Sequence, residues 1–298
     1  MAVTAAQFAL FLEPGLSNIW HDAYPGFPST VGKVMNVRSM EKDTITDAKL
    51  AGFGPLQDQP DGAEFKFDDP LEPVSVTYTY SVRALGYAIH ERIWMNDLFG
   101  EVRKFEQDLM DAARDDSETA GAAIFNNSFT DTGGFDGLSL INTAHTRLDG
   151  GATWANAPST DEPLSVSALQ NAIVTMSKTV NDRGRPRMIK PSKLLVPPDL
   201  MFTAREILRS TLLPGSANND VNAIREFNLD LVEWNHLTST TAWWLIGDKH
   251  DINFLWRFRA KTGMDTVFRT DTIERKVRQG YATGHGEARG IYGTDGVA

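Results

Sequence analysis

The sequence predicts an α+β fold in which one long helix separates two groups of strands, and in which the front of the chain has no core of its own. Three observations carry this. Apolar residues recur at alternating spacings of four and three from Leu98 through Val102, Phe105 and Leu109 to Ala112, the pattern of an amphipathic helix. Strand patterns occupy 75–82 and then recur between 229 and 281. Residues 1–73 are irregular, with aromatic residues in the first half and acidic ones in the second.

Composition removes several chemistries. The chain has 298 residues, 29 Lys+Arg against 39 Asp+Glu, a formal charge of −10 and no cysteine. Without cysteine there is no disulfide scaffold, no Cys-ligated zinc or iron–sulfur site and no thiol nucleophile. No apolar run approaches the ~18 residues of a membrane span, and no positive region precedes Phe8–Leu12 as a secretory signal would require. A net charge of −10 argues against a protein that grips nucleic acid over its whole surface. Hydrophobic residues make up 41%, enough for a real core.

The elements follow in order. Thr4 is placed to cap a short helix through Phe8 and Leu12, stopped by Pro14-Gly15. The following arm carries Trp20, Tyr24 and Phe27 among Pro and Gly, and these rings need another surface to pack on. Gly52-Phe53-Gly54-Pro55 and Asp61-Gly62 are turn signals, the second suited to a hairpin. Residues 41–73 hold nine acids, including Asp58, Asp61, Glu64, Asp68 and Asp69, against three bases, a net of −6; this predicts a projecting acidic hairpin loop. Ser75–Val82 then alternates as a strand, with Val76, Tyr78, Tyr80 and Val82 on one face.

Asp97 is the expected N-cap of the long helix, whose outward face carries Glu101, Arg103, Lys104, Asp108, Asp111, Asp115 and Asp116. At about 28 residues it would run about 42 Å. A Gly-rich stretch to Pro163 is a candidate domain boundary. Ser165 or Ser167 caps a second helix with Leu169, Ile173, Met176 and Val180 on one face. Lys193–Val196 is a short buried strand, Pro197-Pro198-Asp199 starts a third helix through Ala204, Ile207 and Leu208, and Leu213–Asp220 is a loop. Strands are expected at Leu229–Trp234, Ala242–Ile246, Ile252–Phe258, Thr266–Thr270 and Arg275–Tyr281. Residues 257–289 hold eight bases, among them Arg269, Arg275, Lys276 and Arg278, against four acids, a net of +4. An acidic loop and a basic strand region on one chain suggest head-to-tail contact between copies.

No catalytic, cofactor or metal constellation is predicted. His90-Glu91 lacks the second histidine of a zinc-protease helix, and Gly284-His285-Gly286 with Gly290 has the wrong spacing for a dinucleotide fingerprint. Gly137-Leu138-Ser139-Leu140 lacks the second glycine of a nucleophile elbow. His145, with Ser139 and Asp149 near it in sequence, reads as loop, and His250-Asp251 as a turn. Arg183, Arg185, Arg187 and Lys190 read as a solvated basic loop.

This anatomy, in this order, resembles the major capsid proteins of tailed bacteriophages, a fold shared with encapsulin shells, and looks closest to the Mu-like major head subunit family. The residues that carry the resemblance are Gly52-Phe53-Gly54 with the loop hairpin, Gly134-Phe135-Asp136-Gly137-Leu138 after the long helix, and Lys193–Pro198 followed by a helix. The tail, Tyr281–Gly284 with Ala288–Gly293, adds to it. The layout it implies is an N-terminal arm at 1–39, an extended loop at 40–92, a peripheral domain with the spine helix at 93–163, an axial domain at 164–255 and peripheral strands at 256–298. It further implies hexamers and pentamers in an icosahedral shell around double-stranded DNA, assembled in the cytoplasm of a host bacterium and needing no cofactor. In that picture the acidic loop faces the basic strands of a neighbouring copy, and Trp20 and Phe27 pack on adjacent subunits. The chain reaches the arm within a few residues of Met1, so a separate scaffolding protein is the expected partner, with a portal and a decoration protein as further ones and no membrane. Three alternatives stay open at this point: an encapsulin-type compartment whose inner wall binds a cargo peptide, a soluble hydrolase using His145 or His250, and a tail-tube or sheath protein.

Overall fold

The structure is a computed structural model that describes residues 29–62, 64–65, 67–95, 101–212 and 221–296, without the side chains of 101–103. The expected turn at Thr4–Leu12, the rings of Trp20 and Phe27, the cap at Asp97 with Leu98, and the Leu213–Asp220 loop lie outside the described residues.

The described residues begin with a one-turn helix, α1 (Val31–Val34), and a short strand, β1 (Asn36–Ser39). Next come β2 (Thr44–Lys49) and β3 (Val74–Thr79), which pair only with each other, antiparallel, from Thr44↔Thr79 to Lys49↔Val74. Strand β4 (Ser81–His90) follows, then the short helix α2 (Glu91–Met95) and the spine helix α3 (Glu101–Asn126). The expected strand over 75–82 is therefore two. Val76, Tyr78 and Tyr80 share a small core with Met40, Leu255 and Ala282, but the chain breaks at Tyr80 and leaves Val82 exposed.

After the spine helix an irregular segment leads to α4 (Val166–Ser177), whose Ser165 side chain accepts from the Ala168 N–H as an N-cap. Then come β5 (Pro191–Val196), α5 (Met201–Arg209), β6 (Asp230–Glu233), β7 (Trp243–Gly247), β8 (Ile252–Val267), β9 (Thr272–His285) and β10 (Ile291–Thr294). The two strands expected at 252–258 and 266–270 are one strand of 16 residues. Polar residues and Gly263 in its middle look like a break, yet β9 pairs with it throughout, and two register shifts between Trp256 and Lys261 absorb the twist.

Two four-stranded sheets result. The first has the order β1-β8-β9-β4 and carries the spine helix on one face. The second has the order β10-β7-β5-β6 and is covered on both faces. Within β7, Trp244 and Ile246 point into the main core with Phe125, Leu140 and Phe254, while Trp243 and Leu245 point into a second core with Leu169, Ile173 and Ala204. A strand covered on both sides must be apolar at every position, which accounts for the run Trp-Trp-Leu-Ile. The closing strand β10 belongs to this second sheet.

The spine helix buries a face that only partly overlaps the expected stripe. Leu109, Met110, Ala113, Ala122 and Phe125 face inward, whereas Phe105 is 43% exposed. Gly121 lies at the tightest crossing: a Cβ there would come within 2.7 Å of Val31 and 3.0 Å of the Trp234 ring. Asp116, expected in solvent, is half-buried and accepts from the Tyr281 hydroxyl at 2.7 Å and from the Gln279 amide at 2.8 Å.

Candidate assembly surfaces

The β2–β3 ladder holds the 50–73 segment as a projecting loop, and Asp61-Gly62 forms a turn in it with Gly62 at φ 80°. The loop's two limbs are tied near the ladder. The Gly54 N–H donates to Asp68 at 2.7 Å; Arg183 donates to the Gly52 carbonyl at 3.0 Å and to the Asp69 carbonyl, and pairs with Asp68 at 3.3 Å. The turn Asn181–Pro186, expected as a solvated basic loop, is thus a clamp on the loop's limbs. Beyond it Leu56 is 102% exposed, Phe67 95% and Phe65 78%, while Asp58, Asp61, Glu64, Asp68 and Asp69 are also exposed. Charge pattern alone drew attention to the acids and passed over these apolar side chains.

A buried ionic network anchors the ladder's end. Lys49 pairs with Asp182 at 2.5 Å and with Glu287 at 2.8 Å; Arg289 pairs with Asp182 at 3.0 Å, and both Arg289 and Arg187 reach Glu287 at 2.5 Å. Burial raises the Glu287 carboxyl, but the Lys49 and Arg187 charges outweigh it and hold the group at about 2. The Arg289 guanidinium lies 4.7 Å from the Trp154 ring, and Trp154 stacks on His145 at 4.3 Å. His145 is fully buried. Its Nδ1 faces Asp136 at 2.5 Å and its Nε2 faces the Asn156 side-chain oxygen at 3.0 Å. Asn156 also receives the Asn142 N–H and donates to the Leu140 and Ala288 carbonyls, so it stitches four segments together. Burial opposes ionisation of Asp136, and the hydrogen bond from His145 overrides it and lowers its pKa. His145 is therefore a packed structural residue with both nitrogens occupied. His250 sits before β8, where burial, and then Lys193, lower its pKa. His285 is likewise lowered by burial.

The basic strand region divides in two. Lys276 and Arg278 are exposed on the sheet face away from the spine helix, and Arg269 is exposed in the turn between β8 and β9. Arg275 faces the other way. It is 3% exposed and donates to Glu106 of the spine helix through Nε at 2.7 Å and Nη2 at 3.1 Å, while the Tyr87 hydroxyl donates to the same carboxylate at 2.6 Å. Burial alone would lower the Arg275 pKa; Glu106 raises it. The expectation that Arg275 meets a neighbouring copy is corrected: the alternation of β9 turns it inward, where it satisfies a buried glutamate. Among the described residues no ion pair joins the loop acids to these strands; Asp68 pairs with Arg183 instead.

Two concave surfaces flank the first sheet. On the face away from the helix, Gly86, Ala88 and Gly263 leave a bare trough of about 440 Å³ walled by Lys276, Glu274 and Asp265. On the helix side, Leu85, Tyr87, Ile89, Ile93, Phe105 and Leu109 line an apolar groove of about 660 Å³. Among the described residues no group of three or more His, Asp or Glu is arranged to hold a metal, and no helix is long and apolar enough to cross a membrane.

A body with a clamped projecting loop, exposed apolar loop residues and an open groove beside its sheet belongs to the class of subunits that are completed by other protein surfaces. The comparison with known families makes this specific. A phage capsid protein profile matches residues 74–294, most of the chain, and the chain belongs to that family. It is a phage capsid protein, a structural component of the virion. No curated protein matches it. Solved structures share the fold at low identity. The capsid of Cyanophage P-SCSP1u superimposes with a TM-score of 0.59 at 10% identity, over 87% of this chain and 85% of that one. A Microbacterium phage Oxtober96 chain gives 0.54 at 13%, over 90% and 91%. The capsid of bacteriophage JBD30, decorated with minor capsid protein trimers, gives 0.55 at 15%, over 71% and 92%. These matches extend across several phages and do not single out a Mu-like group.

Proposed function

We propose that copies of this chain tile as hexamers and pentamers into an icosahedral shell around double-stranded DNA, with no catalytic role, and that each projecting loop lies on the outward sheet face of its neighbour. The observation that carries the contact is the exposure of Leu56, Phe65 and Phe67 beside Asp58, Asp61 and Glu64 on a loop clamped at its limbs. The bare trough at Gly86 and Ala88, bordered by Lys276 and by Asp265 and Glu274, with Arg278 further along the same strand, offers an open concave surface for the loop's apolar side chains. Assembly takes place in the host bacterial cytoplasm, with a separate scaffolding protein and a portal as partners. A decoration protein is a further partner; the JBD30 capsid carries minor capsid protein trimers. The −10 charge suits a container that must release its DNA. Negative-stain microscopy of the purified protein tests the shell: closed particles or capsomers are expected, and monodisperse monomers at every concentration and salt would refute it.

A further inference from the structure

We propose that the joint between the two sheets is an acid-operated hinge, closed while the His285 ring is neutral and opened when that ring takes up a proton. The hinge lies within one chain, so it stands or falls apart from the shell reading above.

Among the described residues the chain crosses between the sheets by three routes. Residues 127–165 lead from the spine helix, on the first sheet, to α4, on the second; Asp248–Asp251 joins β7 to β8, and Gly286–Gly290 joins β9 to β10. The two short routes run side by side. The Gly247 N–H donates to the Gly290 carbonyl at 2.8 Å, and the Gly286 N–H to the Asp251 carbonyl at 3.0 Å. The long route comes to the same place, where the Phe135 N–H donates to the Gly286 carbonyl at 3.0 Å. His285, the last residue of β9, sits where the three meet. Its ring lies against two glycines of the long route. A Cβ on Gly134 would come within 3.1 Å of Nε2, and one on Gly133 within 3.6 Å of Cε1.

His285 is 3% exposed, and its Nε2 has no hydrogen-bond partner. A neutral ring bears this at the cost of one unmade hydrogen bond, roughly 1–3 kcal/mol. A protonated ring carries an N–H on both nitrogens and a charge, and burial penalises the charge far more. Asp131 and Asp136 on the long route and Asp251 on the β7–β8 route favour the cation, and His145 opposes it. Burial outweighs the three carboxylates and holds the ring below its ordinary 6.5. The charge has an exit. Asp131 is exposed, and its Oδ1 lies 3.8 Å from the same Gly133 Cβ position that His285 Cε1 approaches. A ring that swings toward Asp131 gains water and a carboxylate. It also leaves the place where it packs the three routes together.

The direction with pH follows. Opening returns the ring to its ordinary 6.5, so the open form binds the proton more readily than the closed one. Opening is therefore unaffected above pH ~6.5 and becomes easier as pH falls below it. At pH ~5.5 the gain is up to about tenfold over neutral pH. Glu287, held at about 2, stays ionised throughout this window.

Amide hydrogen exchange of the full chain, read by mass spectrometry between pH ~7.5 and ~4.5 and corrected for the intrinsic pH dependence of exchange, tests it. Peptides covering 131–137, 248–252 and 284–290 are expected to exchange several-fold faster at pH ~5.5, with a midpoint in the histidine range. Residues 243–246, inside β7, should keep their protection. His285→Gln should abolish the acid response, and His250→Gln, at the same joint, should retain it. Equal protection at all pH values, or a midpoint in the carboxylate range, would overturn the proposal, as would a response that survives in His285→Gln. Should His285→Gln fail to fold, C2–H exchange of each histidine ring in the unsubstituted chain decides instead. The His285 ring must then charge at the midpoint at which the joint opens; a midpoint shared with the His250 ring and not with His285 overturns the assignment.

Discussion

Arg275 and Lys276 are neighbours in sequence with opposite fates, because successive residues of a strand face opposite sides. Arg275→Ala would leave Glu106, which is fully buried, without its partner. Removing one member of a buried pair costs roughly 3–5 kcal/mol, so the urea midpoint should fall sharply. Lys276→Ala, at an exposed position, should change it by less than about 0.5 kcal/mol. Equal midpoints for the two variants would contradict the assigned orientation of β9. Glu287 makes a pH prediction. Its carboxyl sits at about 2 in the folded chain against an ordinary 4.5. Lowered in the fold, it contributes stability that is complete above pH ~4.5 and disappears as pH falls toward ~2; the shift corresponds to roughly 3 kcal/mol. Urea midpoints taken between pH 6 and pH 3 should drop in the parent chain. In Glu287→Gln, already weaker at pH 6, the drop should be smaller; a drop as steep as the parent's would mean that other carboxylates carry it.

Elements were legible where one residue type could only do one thing. Ser165 caps α4, Pro197 and Pro198 separate β5 from α5, and Leu194–Val196 lies buried, all from local pattern. The spine helix was located correctly, but its buried face only in part: Leu109 and Ile124 lie inward, and Phe105 does not. Periodicity counts apolar side chains, whereas this helix turns Glu106 and Glu118 inward, where Arg275 with Tyr87 and the Ser29–Thr30 segment satisfy them. Tertiary partners far along the chain decided the rotation, and no local window contains them. The same helix shows why Gly121 matters. Replacing it with Leu contributes about 1 kcal/mol of helix propensity. The new side chain must push against Val31 and Trp234, which a Cβ alone would meet at 2.7 and 3.0 Å. Overpacking of a core costs roughly 1–3 kcal/mol and more for a bulky insertion. Gly121→Leu is therefore expected to lower Tm by several degrees, against a rise for Ala at an exposed helical glycine; a raised Tm would mean that the crossing is looser than drawn.

At the scale of the whole molecule, the uneven charge was visible in sequence, but its use was only half visible. The −6 segment does project as a loop, yet one of its acids, Asp68, is held by Arg183 of the same chain, and one of the bases, Arg275, is internal. Long-range pairing of this kind leaves no trace in local charge counts. What remains for contact between copies is Asp58, Asp61, Glu64 and Asp69 on the loop, and Lys276 and Arg278, with Arg269 at the hairpin turn, on the strands. Exposed pairs are each worth at most about 1 kcal/mol. A shell repeats the contact at every subunit boundary, however, so small changes per contact accumulate in the assembly equilibrium. The double reversal Lys276→Glu/Arg278→Glu should leave the monomer's far-UV spectrum and urea midpoint nearly unchanged while raising the protein concentration at which particles appear. Adding Asp58→Lys and Asp61→Lys should restore part of that loss if the loop meets these strands across the boundary. The effect should shrink as ionic strength rises and the Debye length falls below about 8 Å. Particles that form at the same concentration in all three chains would show that Leu56, Phe65 and Phe67, rather than the charges, hold the loop to its neighbour.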